Sequence, residues 1–316
     1  MGRLRNDLNK NAMHIIRMTL LMFLLMAATS ARGNYSRATL IGFIDTYFKA
    51  LVDNNPSAVP LARNAKITLN GDVKSIDQTF WEGAESIAFR FDIVNTRLGD
   101  TGTEAVIRNS DGSKTMYMLR MKVQDDRIME IETIKCNKGE ADGLWGVDNL
   151  SVVSSAYQLS IREVEQDSYY DLIGTAESYW RAFQTNGSTE YRPARLLPDS
   201  RRYENGMQTT GMVKDGQYES TAKGFDIGFF KERNIWDRRY AVVDEERGVV
   251  LSIVRFGIKS GLKSRSEATS HSRLVAEFFA IKSGRIQEIQ AVLVNRLDEL
   301  PTGWEPDYGP GCAGKE

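Results

Sequence analysis

The sequence predicts an α+β protein of two successive units, each with helices packed on a strongly curved antiparallel sheet. Three observations carry that expectation. An apolar helical stripe occurs twice, a strand with an Asn-Gly turn follows each copy, and each copy closes in a similarly worded hairpin. With 316 residues the chain is long enough for two domains of about 150 residues. Hydrophobic residues make up 41% and charged residues 26%, which excludes a disordered or polytopic membrane chain. Lys+Arg 41 against Asp+Glu 42 leaves a formal charge of -1, so no global field favours nucleic acid and no nucleic-acid partner is expected.

Residues 1–31 read as a secretory signal. Arg3, Arg5, Lys10 and Arg17 form a basic leader, and Met18 to Ala28 form the apolar run. A membrane span needs about 20 apolar residues, so this run is too short for one. Thr29-Ser30-Ala31 supplies small residues for cleavage. A secreted or periplasmic protein with no stable span after cleavage is expected. There Cys136 and Cys312 either form a disulfide or remain thiols.

The first unit is expected over 35–138. Leu40, Ile41, Ile44, Tyr47, Phe48 and Leu51 mark one helical face, and Ile67-Thr68-Leu69-Asn70-Gly71 a strand and tight turn. Met116–Val123 and Arg127–Ile134 form the closing hairpin. Residues 139–165 show sparse periodicity and read as a linker or surface strap. The second unit is expected over 166–300. Its helix carries Leu172, Ile173, Ala176, Tyr179, Trp180 and Phe183, and its turn reads Arg202-Tyr203-Glu204-Asn205-Gly206. A strand from Trp236 leads through Asp244–Gly248, a turn whose acids are expected in solvent, to Val249–Val254. A mobile loop is expected around Ile258–Ser270 before the hairpin of Leu274–Ile281 and Arg285–Val292. A tail follows at 301–316.

Both hairpins read Arg-Ile-x-Glu-Ile at their return strand, at Arg127–Ile131 and Arg285–Ile289. Helix-first, strand-last units of this kind resemble the NTF2-like superfamily, which includes SnoaL-like cyclases, scytalone dehydratase and ketosteroid isomerase. The strings Asp237–Gly248 and Val275–Ile281, with Gly303-Trp304 downstream, resemble secreted tandem SnoaL-like proteins. The resemblance implies two tandem NTF2-like cone domains packed as a pseudo-dimer, each cone enclosing an apolar cavity. It implies binding of a small apolar organic molecule and cofactor-free acid–base chemistry of isomerase, dehydratase, cyclase or lyase type. The alternative is a non-catalytic small-ligand-binding or protein-interaction module of the cell envelope or secretome, since fold alone does not select an activity. A homo-oligomer is compatible with either.

The residues themselves narrow the chemistry. There is no phosphate loop, His-Glu-x-x-His or Gly-x-Ser-x-Gly motif. His271 is the only histidine beyond the leader, so neither a multi-histidine metal site nor any cofactor is expected. Glu277 stands where the first unit has Leu119. Strand alternation groups it with His271, Arg273, Val275, Phe279 and Ile281. A carboxylate among apolar neighbours suits a general acid or base; paired with an Arg of a neighbouring strand it only fixes the sheet. Arg238 and Arg239 point to opposite faces, and the inward one is expected to face Glu277 or a ligand oxygen. His271 lies on the Glu277 face, too far along for direct contact. Tyr203 and Tyr240 are candidate hydrogen-bond donors to a ligand. Trp180 and Phe279 are candidate cavity walls or ordinary core. Asp45 and Arg120 are the thinner counterparts in the first unit.

Overall fold

The computed structural model describes residues 35–184, 194–226, 233–258, 271–297 and 302–304. The leader, residues 259–270 of the expected mobile loop, and Cys312 lie outside the described residues. Helix α1 (Arg37–Val52) starts where the Ser36 hydroxyl accepts the Thr39 amide at 3.0 Å, satisfying a donor the helix cannot. It buries Leu40, Ile44, Tyr47, Phe48 and Leu51 of the stripe read from the sequence, and Ile41 is half-buried. Six strands follow: β1 (Leu61–Leu69), β2 (Asp72–Val73), β3 (Ala84–Asn95), β4 (Asp100–Asn109), β5 (Lys114–Gln124) and β6 (Arg127–Cys136). The strap contains α2 (Ser155–Gln158), and α3 (Tyr169–Gln184) follows it. The chain continues through β7 (Leu196–Glu204), β8 (Met207–Thr210), β9 (Met212–Lys214), β10 (Gln217–Glu219) and α4 (Lys223–Asp226). It closes with β11 (Arg233–Asp244), β12 (Val249–Ile258), β13 (His271–Lys282) and β14 (Arg285–Leu297). At both Asn-Gly turns, φ is positive at both residues: +50° and +85° at Asn70 and Gly71, +45° and +77° at Asn205 and Gly206.

The architecture corrects the expected α+β class. Among the described residues the protein is mostly β, built on two six-stranded sheets rather than on helices packed against a curved antiparallel sheet. The strand orders are β2-β1-β6-β5-β4-β3 and β11-β12-β13-β14-β7-β8. Neither sheet is purely antiparallel, because β1 runs parallel to β6 and β7 parallel to β14. The two-part arrangement itself fits. The physical reason lies in the second face of each sheet. Side chains are buried on both faces of β4, β5, β12 and β13, and one long helix per sheet covers only one of them. The remaining faces bury each other.

In the first sheet Ala105, Ile107, Tyr117, Leu119 and Met121 pack under α1, whereas Val106, Met116, Met118 and Ile134 join the core of the second sheet. Phe91 of β3 meets Phe278 of β13 with ring centroids 5.1 Å apart. Gly102 of β4 makes room for Leu251, since a Cβ there would lie 3.0 Å from Leu251 Cδ2. Most of the strap is exposed, and it is anchored at this seam by single buried side chains. Tyr157 of α2 is buried, stacks on Phe91 at 4.5 Å and donates to the Phe278 carbonyl at 3.0 Å. Gly146 pins the strap to the β7–β8 turn, where a Cβ would come within 2.7 Å of the Met207 backbone.

The acids of the β11–β12 turn are likewise not simply solvated. Buried Asp244 pairs with Arg37 at 2.6 Å and accepts the Val94 amide at 3.0 Å. Arg37 also holds Glu246 at 2.8 Å. The turn is a clamp between the sheets because its carboxylates face the open end of β3 and the start of α1. Cys136 is buried, and burial pushes its thiol up to about 12, with Glu140 adding to the effect.

Glu104 is the exception within the seam. Its side chain is fully buried on β4 and neither carboxylate oxygen has a hydrogen-bond partner. Burial pushes its carboxyl well above the usual range, and nearby Glu288 adds to the shift. The buried form is therefore the neutral acid. The folded state keeps a proton that the unfolded chain has lost at neutral pH. The contribution of Glu104 to stability is thus full below about pH 4.3 and declines as pH climbs through the raised pKa. Between about pH 5 and about pH 8 the wild-type melting temperature should fall more steeply than that of Glu104→Gln. Glu104→Leu should gain about 1–3 kcal/mol at neutral pH. Parallel melting profiles would mean that Glu104 is ionised in the fold.

Candidate functional site

Between α3 and the second sheet lies a cavity of about 510 Å³. Trp180 and Phe183 of α3, Phe256 of β12, Val275 of β13, Leu293 of β14 and Leu144 of the strap supply its apolar wall. Arg273, Val275 and Glu277 all open onto it, the set that alternation along β13 requires. At its floor Arg202 of β7 bridges two carboxylates, Glu204 at 3.0 Å and Glu277 at 2.7 Å. Glu277 is 0% exposed, and its second oxygen, Oε2, has no hydrogen-bond partner.

The electrostatics follow from burial. Loss of water pushes the Glu277 carboxyl up; Arg202 pulls it back, and Glu204 opposes that pull. Burial disfavours the Arg202 charge, but Glu204 and Glu277 more than offset this, so the guanidinium stays charged. The Nε and Nη2 atoms form one edge of the guanidinium fork. Nη2 reaches Glu277 Oε1, while Nε has no partner.

Strand registers relate the two sheets position by position. Glu277 pairs with Ser252 and Ala291, as Leu119 pairs with Thr103 and Thr133. Arg202 and Glu204 pair with Ile289 and Ala291, as Ile67 and Leu69 pair with Ile131 and Thr133. The counterparts of Arg202, Glu204 and Glu277 are therefore Ile67, Leu69 and Leu119, all apolar. Under α1 that space is occupied by core. Tyr47 and Tyr117 there join hydroxyls at 2.7 Å, and Leu119 is buried. Stability alone would favour the apolar set, because desolvating a carboxylate or guanidinium costs several kcal/mol. The second sheet keeps three charges where its partner keeps none.

The sequence-selected residues divide. Glu277 and Trp180 line the cavity, and the Trp180 indole donates to Ser252 at 2.9 Å. Phe279 packs against Trp180 and Tyr179, at 5.7 and 5.3 Å between centroids, without lining the cavity. Arg238 and Arg239 do point to opposite faces, but neither is the counter-ion of Glu277. Arg238 and the Tyr240 hydroxyl converge on Glu177 of α3. Arg239 crosses the seam to Glu132 of β6 at 2.6 Å, and its guanidinium lies 5.7 Å from the Trp304 ring. Each of the two arginines thus meets a carboxylate on its own face of β11, on a strand that carries a positive φ at Asp237 and register shifts against β12. Tyr203 lies on the opposite face of β7 from Arg202 and Glu204, beside Arg201 and Glu288. His271 opens β13 opposite Leu297, and its side chain lies outside those described. In the first sheet Asp45 pairs with Arg90, and Arg120 with Glu130 and Asp100.

Sequence reasoning missed Arg202 and Glu204. The signal was available: Ile67-Thr68-Leu69-Asn70-Gly71 set against Arg202-Tyr203-Glu204-Asn205-Gly206 replaces two apolar residues by charges at alternate positions.

The family described as "Domain of unknown function (DUF8021)" matches residues 165–293, the part of the chain that holds this cavity. Solved structures with partial likeness include a protein from Sphaerobacter thermophilus, at 16% identity and a TM-score of 0.26, covering 31% of this chain and 96% of that one. The IdmH 96-104 loop truncation variant matches at 21% identity and a TM-score of 0.26, over 30% of this chain and 91% of its own. An M. tuberculosis LEH-like epoxide hydrolase matches at 13% identity and a TM-score of 0.25, over 39% and 83%. No curated protein matches the chain. Likenesses of this size leave the function to the chain's own geometry.

Removing one charge and removing all three should have opposite effects. Arg202→Ile alone strands two buried carboxylates and is expected to cost about 3–5 kcal/mol. The triple change Arg202→Ile, Glu204→Leu and Glu277→Leu copies the first sheet and should recover most or all of that loss. Chemical denaturation of both variants measures the difference. A triple variant no more stable than Arg202→Ile would show that the charges hold the fold.

Proposed function

We propose that the second sheet and α3 take a small, largely apolar organic molecule into their cavity, where Glu277 exchanges a proton with it. The observation that carries this reading is the Glu277 carboxylate, buried and held at one oxygen by Arg202 while the other oxygen lacks a partner. Pockets for small molecules are mostly apolar with a few placed polar groups, and about 510 Å³ lies within their usual size. Arg202 fixes the carboxylate through Oε1, which leaves Oε2 to meet a substrate proton. Burial raises the carboxyl above its usual range, which brings its basicity closer to that of an effective general base at neutral pH. The reaction class is a cofactor-free isomerisation, dehydration, cyclisation or lyase step. The leader at 1–31 and the resemblance of Asp237–Gly248 and Val275–Ile281 to secreted SnoaL-like proteins support a role outside the cytoplasm.

Binding without turnover is the second reading. It is favoured by the same ion pair, since a carboxylate already neutralised by Arg202 at 2.7 Å also suits a rigid polar floor. Solvent-deuterium incorporation into a panel of apolar ketones separates the two. As a base, wild-type protein should catalyse exchange with a rate that rises as pH passes through the raised Glu277 pKa. Glu277→Gln should lose about 100-fold or more of that rate while ligands still raise its melting temperature. Equal exchange by both proteins removes Glu277 from any mechanism.

A further inference from the structure

The cavity is polarised along its depth. Its buried end carries two carboxylates to one guanidinium, Glu204 and Glu277 against Arg202. At its exposed end Lys223 holds Glu219 at 2.9 Å and Arg273 holds Asp142 at 3.0 Å. Lys214, exposed on the β9–β10 hairpin, also lines this end. Among the described residues it has no carboxylate within ion-pair distance. Among the described residues that line it and their printed partners, the mouth therefore carries one cation in excess and the floor one anion in excess.

At the floor two polar atoms lack partners, the Arg202 Nε donor and the Glu277 Oε2 acceptor. Nε shares the fork edge that already meets Glu277, so both atoms belong to one contact that is half made. A hydroxyl accepts from one and donates to the other. A carbonyl only accepts and an ammonium only donates, and either leaves a buried polar atom unpaired. Between floor and mouth Trp180, Phe183 and Phe256 offer aromatic faces.

The geometry points to a ligand class: an apolar hydroxy acid, with its hydroxyl seated between Arg202 and Glu277 and its carboxylate directed to Lys214. This rests on the cavity reading above and names what the cavity selects. The hydroxyl is held where Glu277 would accept its proton. The carboxylate stays at the wet end, so its charge is never desolvated against the acidic floor.

Three fluorescent probes test the class: a hydroxynaphthoate with its two groups at opposite ends, the corresponding naphthol, and the corresponding naphthoate. Titration of the full chain at low salt should rank the hydroxynaphthoate first. The naphthoate should bind about tenfold more weakly for want of the hydroxyl, and the naphthol about threefold more weakly for want of the anion. Lys214→Ala should bring the ratio of hydroxynaphthoate to naphthol affinity close to one, and Lys214→Arg should restore it. Lys214 is exposed on a surface ribbon, so neither variant threatens the fold. Naphthol binding as tight as the hydroxynaphthoate, or a ratio indifferent to Lys214, overturns the hydroxy-acid class and leaves the cavity reading standing. No binding of any probe overturns both.

Discussion

Everything in this protein follows from two sheets that each commit one face to the other. Period-two side chains give every strand residue a fixed side, so the seam decides the rest. Leu251, Phe278 and Phe91 lie in it, and Gly102 leaves room for the Leu251 side chain. Residues one position away are thereby directed to the helix side. In the second sheet those residues are Ser252, Glu277, Arg202 and Glu204. A one-residue slip of β13 would place Glu277 in the seam and Phe278 beneath α3.

The seam is sealed by polar groups as well as by apolar packing. Asp244 ties β11 to Arg37 and to the amide of Val94, and Asn95 donates to the Val243 carbonyl at 2.9 Å. Arg239 and Glu132 join the sheets from the other strands, beside Trp304, whose indole donates to Thr68 at 2.9 Å. These buried or half-buried pairs add directional constraint where apolar contact alone permits sliding. Glu104 stands apart from them, a carboxyl that the seam tolerates only as the neutral acid.

The contrast between the two sheets bears most directly on function. Corresponding positions carry Ile67, Leu69 and Leu119 in one, Arg202, Glu204 and Glu277 in the other. The apolar set accompanies a filled core and the charged set a cavity. A buried ion network is poor value as a stabiliser, because desolvation consumes much of the Coulomb attraction. Its half-made contact at Arg202 Nε and Glu277 Oε2 has meaning as a place for another molecule's hydrogen bond.

The sequence alone determined the helical stripes of α1 and α3, both Asn-Gly turns, both closing hairpins and the acid in β13. Each rests on local periodicity or turn chemistry, which neighbouring residues suffice to express. Glu277 was legible because one aligned position changed from leucine to glutamate. Only the tertiary structure decided that the layers are sheet on sheet, that Arg202 rather than Arg238 or Arg239 answers Glu277, and that Tyr157 of the strap and Asp244 of the turn are buried. Arg202 lies two strands away from Glu277, across β14, and no local pattern encodes a neighbour at that remove. The two expected arginines keep opposite faces, but each meets a carboxylate of its own, Arg238 at Glu177 of α3 and Arg239 at Glu132 across the seam.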